Sequence, residues 1–134
     1  MYKKLFSYQF STCLQKNSSI GLLATEGTLK TKIYNRLFNN DFSIVTPNQS
    51  LQTKSVNQTI KYVKMGNIRS AEKTIKPSIN YLLKMKCKKI ILGCTEIPIA
   101  IFAFKSFKKV KLSKTFLDPN LILAESSMKR YLKK

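Results

Sequence analysis

The sequence predicts a three-layer α/β domain, with helices on both faces of a parallel sheet of about four strands. Three observations lead there. Short apolar runs of strand length alternate with longer segments whose apolar residues recur at helical spacing. Each apolar run stops at turn-forming residues, as in "GLLATEGT", "IVTPN", "ILGCTE" and "FLDPN". Three of the six acidic residues, Glu26, Glu96 and Asp118, fall in those turns, where ligands bind in parallel sheets.

Taken in order, "SSIGLLAT" (18–25) reads as a buried first strand ending in a Thr/Gly turn. Residues 26–38 place Leu29, Ile33 and Leu37 at helical spacing, with Thr28 suited to the helix start. "DFSIVTP" (41–47) is a second strand stopped by Pro47. Residues 50–65 form a helix with Val56, Ile60 and Val63 on one face, ended by Gly66 and Asn67. Residues 68–85 are again helical, and Pro77 inside them implies a kink or a fresh start. "KKIILGC" (88–94) is the third strand, and a helix should follow near Pro98, a residue that suits a first turn. "KTFLDP" (114–119) is a short fourth strand, and the chain closes on a basic amphipathic helix.

Composition removes several function classes. There is no histidine, which excludes His-based zinc sites, Ser-His-Asp triads and Cys-His dyads. The four glycines form neither a phosphate loop nor a dinucleotide fingerprint, so no cofactor or metal is expected. Cys13, Cys87 and Cys94 are an odd number without framework spacing, which fits a reducing compartment. No run is long and apolar enough for a membrane span, and residues 1–16 lack the apolar core of a signal peptide. Cytoplasm is therefore the expected location, and the glycosylation-type triplets at Asn17, Asn48 and Asn57 are coincidental. The formal charge of +19, from 25 Lys and Arg against 6 Asp and Glu, would draw the chain towards phosphates. However, the lysines are dispersed and few aromatics alternate with them as a base-stacking surface requires.

The polar turns suggest a chemistry. A cysteine at a strand end, just before a helix, has its thiolate favoured by the helix dipole and adjacent N–H groups. Cys94 stands in that position, so its thiol, ordinarily near pKa 8.5, is expected within reach of neutral pH. Thr25, Gly27 and Thr28 offer hydroxyls, open backbone and helix-start N–H groups to a carboxylate or phosphate. Each also has a plainer reading. Thr25 and Thr28 fit simple helix caps, Glu96 a helix-start carboxylate, Lys64 one solvated lysine among 22, and Asp118 with Pro119 a turn. A thiolate facing a carboxylate pocket points to proton abstraction beside a carboxylate.

"GLLATEGTLKTKIY", "IVTPN", "YVKMGN", "ILGCTEIPI" and "FLDPNLILAES" follow the order found in the aspartate/glutamate racemase family, which residues 19–128 resemble. That resemblance implies a cofactor-independent isomerase built from two similar α/β halves, with one cysteine from each flanking the substrate α-carbon. By the same resemblance Cys94 matches the second-half catalytic cysteine. Thr25, Gly27 and Thr28 then fall in the carboxylate-binding turn, and Thr95 and Glu96 in the catalytic turn. Lys64 matches a lysine that some aspartate-type members hold near the site. The family's first half, with its own Cys-Asn-Thr-type motif, has no counterpart, and Cys13 in "FSTCLQK" lacks both the motif and a preceding strand.

The expected organisation is an irregular N-terminal extension (1–18), a racemase C-terminal-type domain (19–117) and a final helix (118–134). In the family that helix packs on the first domain. The expected activity is racemisation or epimerisation of a small amino-acid or dicarboxylate-type substrate by a truncated or split enzyme. The partner is a separately encoded N-terminal half or a second copy of the chain. An inactive remnant and a basic nucleic-acid-associated module are the alternatives.

Overall fold

Residues 14–38, 41–103 and 115–133 are described by the computed structural model. Cys13, most of the expected N-terminal extension and the segment preceding the fourth strand lie outside them. Strands β1 (Ser19–Leu23), β2 (Ser43–Val45), β3 (Lys89–Leu92) and β4 (Phe116–Leu117) form one sheet in the order β2-β1-β3-β4. Every pairing is parallel, with Ile20 opposite Lys89 and Leu23 opposite Leu92. The expected α/β architecture is therefore observed.

Alternation along the strands divides the core in two, because successive side chains leave opposite faces of the sheet. Leu23, Ile90 and Leu92 join one cluster, and Ile20, Leu22 and Ile91 join the other. The first face is covered by three consecutive helical pieces, α3 (Gln49–Leu51), the π-helical turn Gln52–Asn57 and α4 (Gln58–Lys64). With them lie α5 (Ile68–Lys84) and α6 (Glu96–Phe102), which contribute Ile75, Ile79, Leu82, Ile97 and Ile101. The second face receives Tyr34 and Phe38 from the segment of α1 (Glu26–Thr31) and α2 (Ile33–Leu37), and Ile122 from α7 (Pro119–Leu132).

Two details depart from the sequence reading. The helix expected over 26–38 breaks at Lys32, whose φ of 49° puts it in the left-handed region. Its N–H still reaches Leu29 O at 3.2 Å, closing α1, and α2 starts afresh. The break turns the buried face by one residue, so that Ile33 is 45% exposed and Tyr34 is buried instead. Helix α5, by contrast, runs through Pro77 without the fresh start that the proline allowed. Pro77 is exposed, while Ser78 and Ile79 beside it are buried.

The chain moves from β1 outward to β2, then crosses back beyond β1 to β3. Loops leaving β1 and β3 therefore run to helices on opposite faces, which opens a crevice at the carboxyl ends of this central pair.

Candidate functional site

The two turns that border this crevice are held close by the absence of one side chain. Gly93 N–H donates to Leu23 O at 2.7 Å. A Cβ on Gly93 would stand 2.8 Å from Ala24 Cβ and 3.0 Å from Leu22 Cδ1. Ala24-Thr25 and Gly93-Cys94 consequently leave the sheet as neighbours.

On the β1 side Thr25, not Thr28, caps the helix. Its backbone is extended (φ −67°, ψ 156°), its Oγ1 accepts from Thr28 N–H at 3.3 Å, and the two hydroxyls share a 3.0 Å hydrogen bond. Gly27 is exposed, and a Cβ there would meet only Thr25 Oγ1 at 3.9 Å, leaving the approach to the backbone open. Behind this turn, the Glu26 carboxylate accepts from Asn57 Nδ2 at 2.9 Å.

On the β3 side Cys94 is half-buried and packs on the edge of the first core cluster. Helix α6 starts at Glu96, so Pro98 lies within the first turn rather than at the start. Burial pushes the Cys94 thiol up. Hydrogen bonds from the backbone N–H groups of Ile97 and Glu96 pull it down, and the Glu96 carboxylate pushes it up again, by its charge and by accepting a hydrogen bond. The net direction is upward, which corrects the expectation of a thiolate near neutral pH. The helix-start N–H groups are present, but desolvation and a facing carboxylate outweigh them.

Glu96 sits at the centre of the polar contacts. Thr95 Oγ1 donates to its Oε2 at 3.0 Å, and Lys64 Nζ lies 3.7 Å from its Oε1. Burial raises this carboxyl, but its own N–H, the Thr95 hydroxyl, the Cys94 thiol and the Lys64 ammonium together hold it below the usual carboxylate range. Lys64 is two-thirds exposed, so the ion pair itself contributes little to stability.

Asp118 caps α7 by accepting from Asn120 N–H at 2.9 Å. Tyr34, which no motif in the sequence singles out, is buried. Its hydroxyl is pushed up by burial and then by the negative charges of Cys94 and Asp118, which puts it within electrostatic reach of both turns. Only the break at Lys32 brings it inward, and helical spacing alone points to Ile33.

Among the described residues no group of His, Cys, Asp and Glu is arranged to hold a metal ion, and no helix is long and apolar enough to cross a membrane. The residues brought together are Cys94, Thr95, Glu96 and Lys64 around one carboxylate, with the Thr25–Thr28 turn leaving the neighbouring strand. Such an arrangement offers an acid-base sulfur, a cation and hydroxyl groups to a small carboxylic acid.

Three known proteins are similar to this chain. A glutamate racemase of Levilactobacillus brevis is 24% identical over 115 residues, covering 84% of this chain and 40% of the relative. An uncharacterized protein encoded in the pnlA 3' region of Pectobacterium carotovorum subsp. carotovorum is 37% identical over 83 residues, covering 61% of this chain and 55% of that one. Among solved structures, Picrophilus torridus aspartate racemase superposes with a TM-score of 0.65 at 27% identity, over 87% of this chain and 45% of the racemase. The chain thus spans about half the length, or somewhat less, of the relatives it matches. The Asp/Glu/hydantoin racemase family model matches residues 7–126, nearly the whole sequence, and the chain belongs to that family.

Proposed function

We propose that this chain supplies one acid-base half of an amino-acid racemase or epimerase acting on an aspartate- or glutamate-like acid in the cytoplasm, without a cofactor. The observation that carries this reading is Cys94 itself, at the carboxyl end of β3 beside the crevice, with two backbone N–H groups directed at its sulfur. In this proposal the Thr25–Thr28 turn, with Gly27 leaving its backbone open, receives the α-carboxylate. Lys64 receives a second acidic group of the substrate. Thr95 and Glu96 orient the sulfur and hold its proton.

Deprotonation requires the thiol to ionise although its environment disfavours charge. A cation brought closer to the sulfur, Lys64 itself or the α-ammonium of the substrate, would relieve part of that opposition. Inversion further requires a proton to reach the α-carbon on the face opposite the base. Cys94 can serve one face only. The opposing group is proposed to come from a polypeptide segment outside this sequence, or from a second copy of the chain.

The test is deuterium incorporation at the α-carbon of L-aspartate and L-glutamate in D₂O, with the chain alone and with a separately produced racemase N-terminal half. Exchange should need the second half or pairing of the chain with itself, and should vanish in Cys94→Ser, because an alcohol is too weak an acid to replace the thiol. Cys87→Ser should retain it. Equal loss from both substitutions would remove Cys94 from its role, and rapid exchange by a lone monomer would overturn the half-enzyme proposal.

A further inference from the structure

The π-helical turn Gln52–Asn57 lies beside the site and touches it at two points. Gln52 is only 3% exposed, a buried amide at a position where the spacing to Val56 and Ile60 calls for an apolar side chain. Its Nε2 donates to Ala24 O at 2.9 Å and to Asn57 Oδ1 at 2.9 Å. Asn57 Nδ2 in turn donates to Glu26 Oε1 at 2.9 Å. The polarity of this chain is fixed at both ends. Ala24 O can only accept, so the Gln52 nitrogen faces it; the Asn57 oxygen then faces Gln52, and its nitrogen faces the carboxylate.

Helix type makes the relay possible. Residues i and i+5 of an α-helix point well apart, whereas the wider π turn brings them close to one face. Gln52 and Asn57, the first and last residues of the turn, are five apart and meet for that reason. They hold the two residues that flank Thr25, one by its backbone carbonyl and the other by its side chain.

We infer that Gln52 and Asn57 are positioning residues for the Thr25–Thr28 turn, acting through Ala24 and Glu26, and that the π-helical turn exists to present them. The inference rests on the reading of that turn as the substrate carboxylate site, but its structural half can be measured without any ligand. Losing a buried hydrogen bond, or one to a charged group, should loosen the turn by about tenfold. Amide hydrogen exchange followed by NMR reads this at Thr28 and Leu29, whose N–H groups bond to Thr25 Oγ1 and Thr25 O.

Exchange at both amides should accelerate about tenfold in Gln52→Leu and in Asn57→Asp, which sets two carboxylates against each other. Pairing Asn57→Asp with Glu26→Gln reverses the polarity of the contact and should return exchange to within about twofold of wild type. Ser55→Ala is the control. It removes a 2.6 Å hydrogen bond from the same π turn to Thr74 O, away from the site, and should lower overall stability without changing those two amides. L-Aspartate titrated into each variant should lose affinity in step with the exchange rates. Unchanged exchange in Gln52→Leu and Asn57→Asp, or no recovery in the paired variant, overturns the inference. A wild-type chain that fails to bind L-aspartate counts instead against the proposed function, and the exchange rates still decide the positioning.

Discussion

Replacing Gly93 by alanine isolates the close approach on which the site depends. The glycine is not in the left-handed region, so the demand there is for space rather than for backbone freedom. The new Cβ would meet Ala24 Cβ at 2.8 Å, Leu22 Cδ1 at 3.0 Å and Leu23 O at 3.2 Å. Leu22 can yield by a change of rotamer. Ala24 Cβ and Leu23 O are fixed to the backbone, so relief requires the ends of β1 and β3 to separate and stretches the 2.7 Å bond from Gly93 N–H to Leu23 O. Overpacking of this kind costs about 1–3 kcal/mol. For a domain of this size that corresponds to a fall in Tm of about 4–10 °C. Thermal and urea unfolding followed by circular dichroism give the value directly. Gly27→Ala is the matched comparison, since its Cβ meets only one atom at 3.9 Å, and within α1 it should be neutral or mildly stabilising. Equal midpoints for wild type and Gly93→Ala would refute the claim that crowding at this point joins the two turns.

Further outcomes follow from the site electrostatics and the surface. Glu96→Gln removes the carboxylate that opposes the Cys94 thiolate, so the pH midpoint for iodoacetamide alkylation of Cys94, measured in a Cys13→Ser/Cys87→Ser background, should fall. Because the folded-state pKa of Cys94 is raised, its contribution to stability is complete below the unfolded thiol value near pH 8.5 and is lost as pH rises through the folded value. Cys94→Ser should accordingly gain on wild type in urea midpoint above about pH 8.5, and a constant difference across that range would contradict the raised pKa. On α7, Leu132 and Met128 are 76% and 59% exposed. Leu132→Glu and Met128→Glu should leave stability within about 0.5 kcal/mol while reducing self-association in sedimentation velocity, and a large stability loss would mean that the chain itself covers this face.

The parts of the fold legible in the sequence were those written in strong local pattern. "IGLL" and "KIIL" could hardly be other than buried strands, and the polar turns after them marked the carboxyl ends of a parallel sheet. What escaped notice depended on single residues overriding a period. Lys32 in a left-handed conformation resets the helical count, so the apolar Ile33 faces solvent and Tyr34 is drawn beneath the site. Gln52 carried a usable signal, a polar side chain in line with Val56 and Ile60, but its destination at Ala24 O lies 28 residues back along the chain. The Cys94 thiol departs from the sequence expectation for a different reason. Helix-start N–H groups can be read from a motif, whereas desolvation arises from side chains assembled from distant segments.

The order of the strands also governs how this molecule can be made. The central strand β1 pairs with β2 early in the sequence, but its other edge waits for β3, with Ile20 finding Lys89 and Leu23 finding Leu92. Non-local parallel pairing of this sort is slow, because a long loop must close before the contacts that reward it can form. A nascent chain therefore carries the apolar edge of Ile20–Leu23 open until residue 92 has left the ribosome, and until then the helices α3 to α5 have only part of the sheet to pack on. Throughout that interval the bare edge is a template for misassociation with other chains, so the yield of folded protein should depend on synthesis rate and on chaperones that shield such edges.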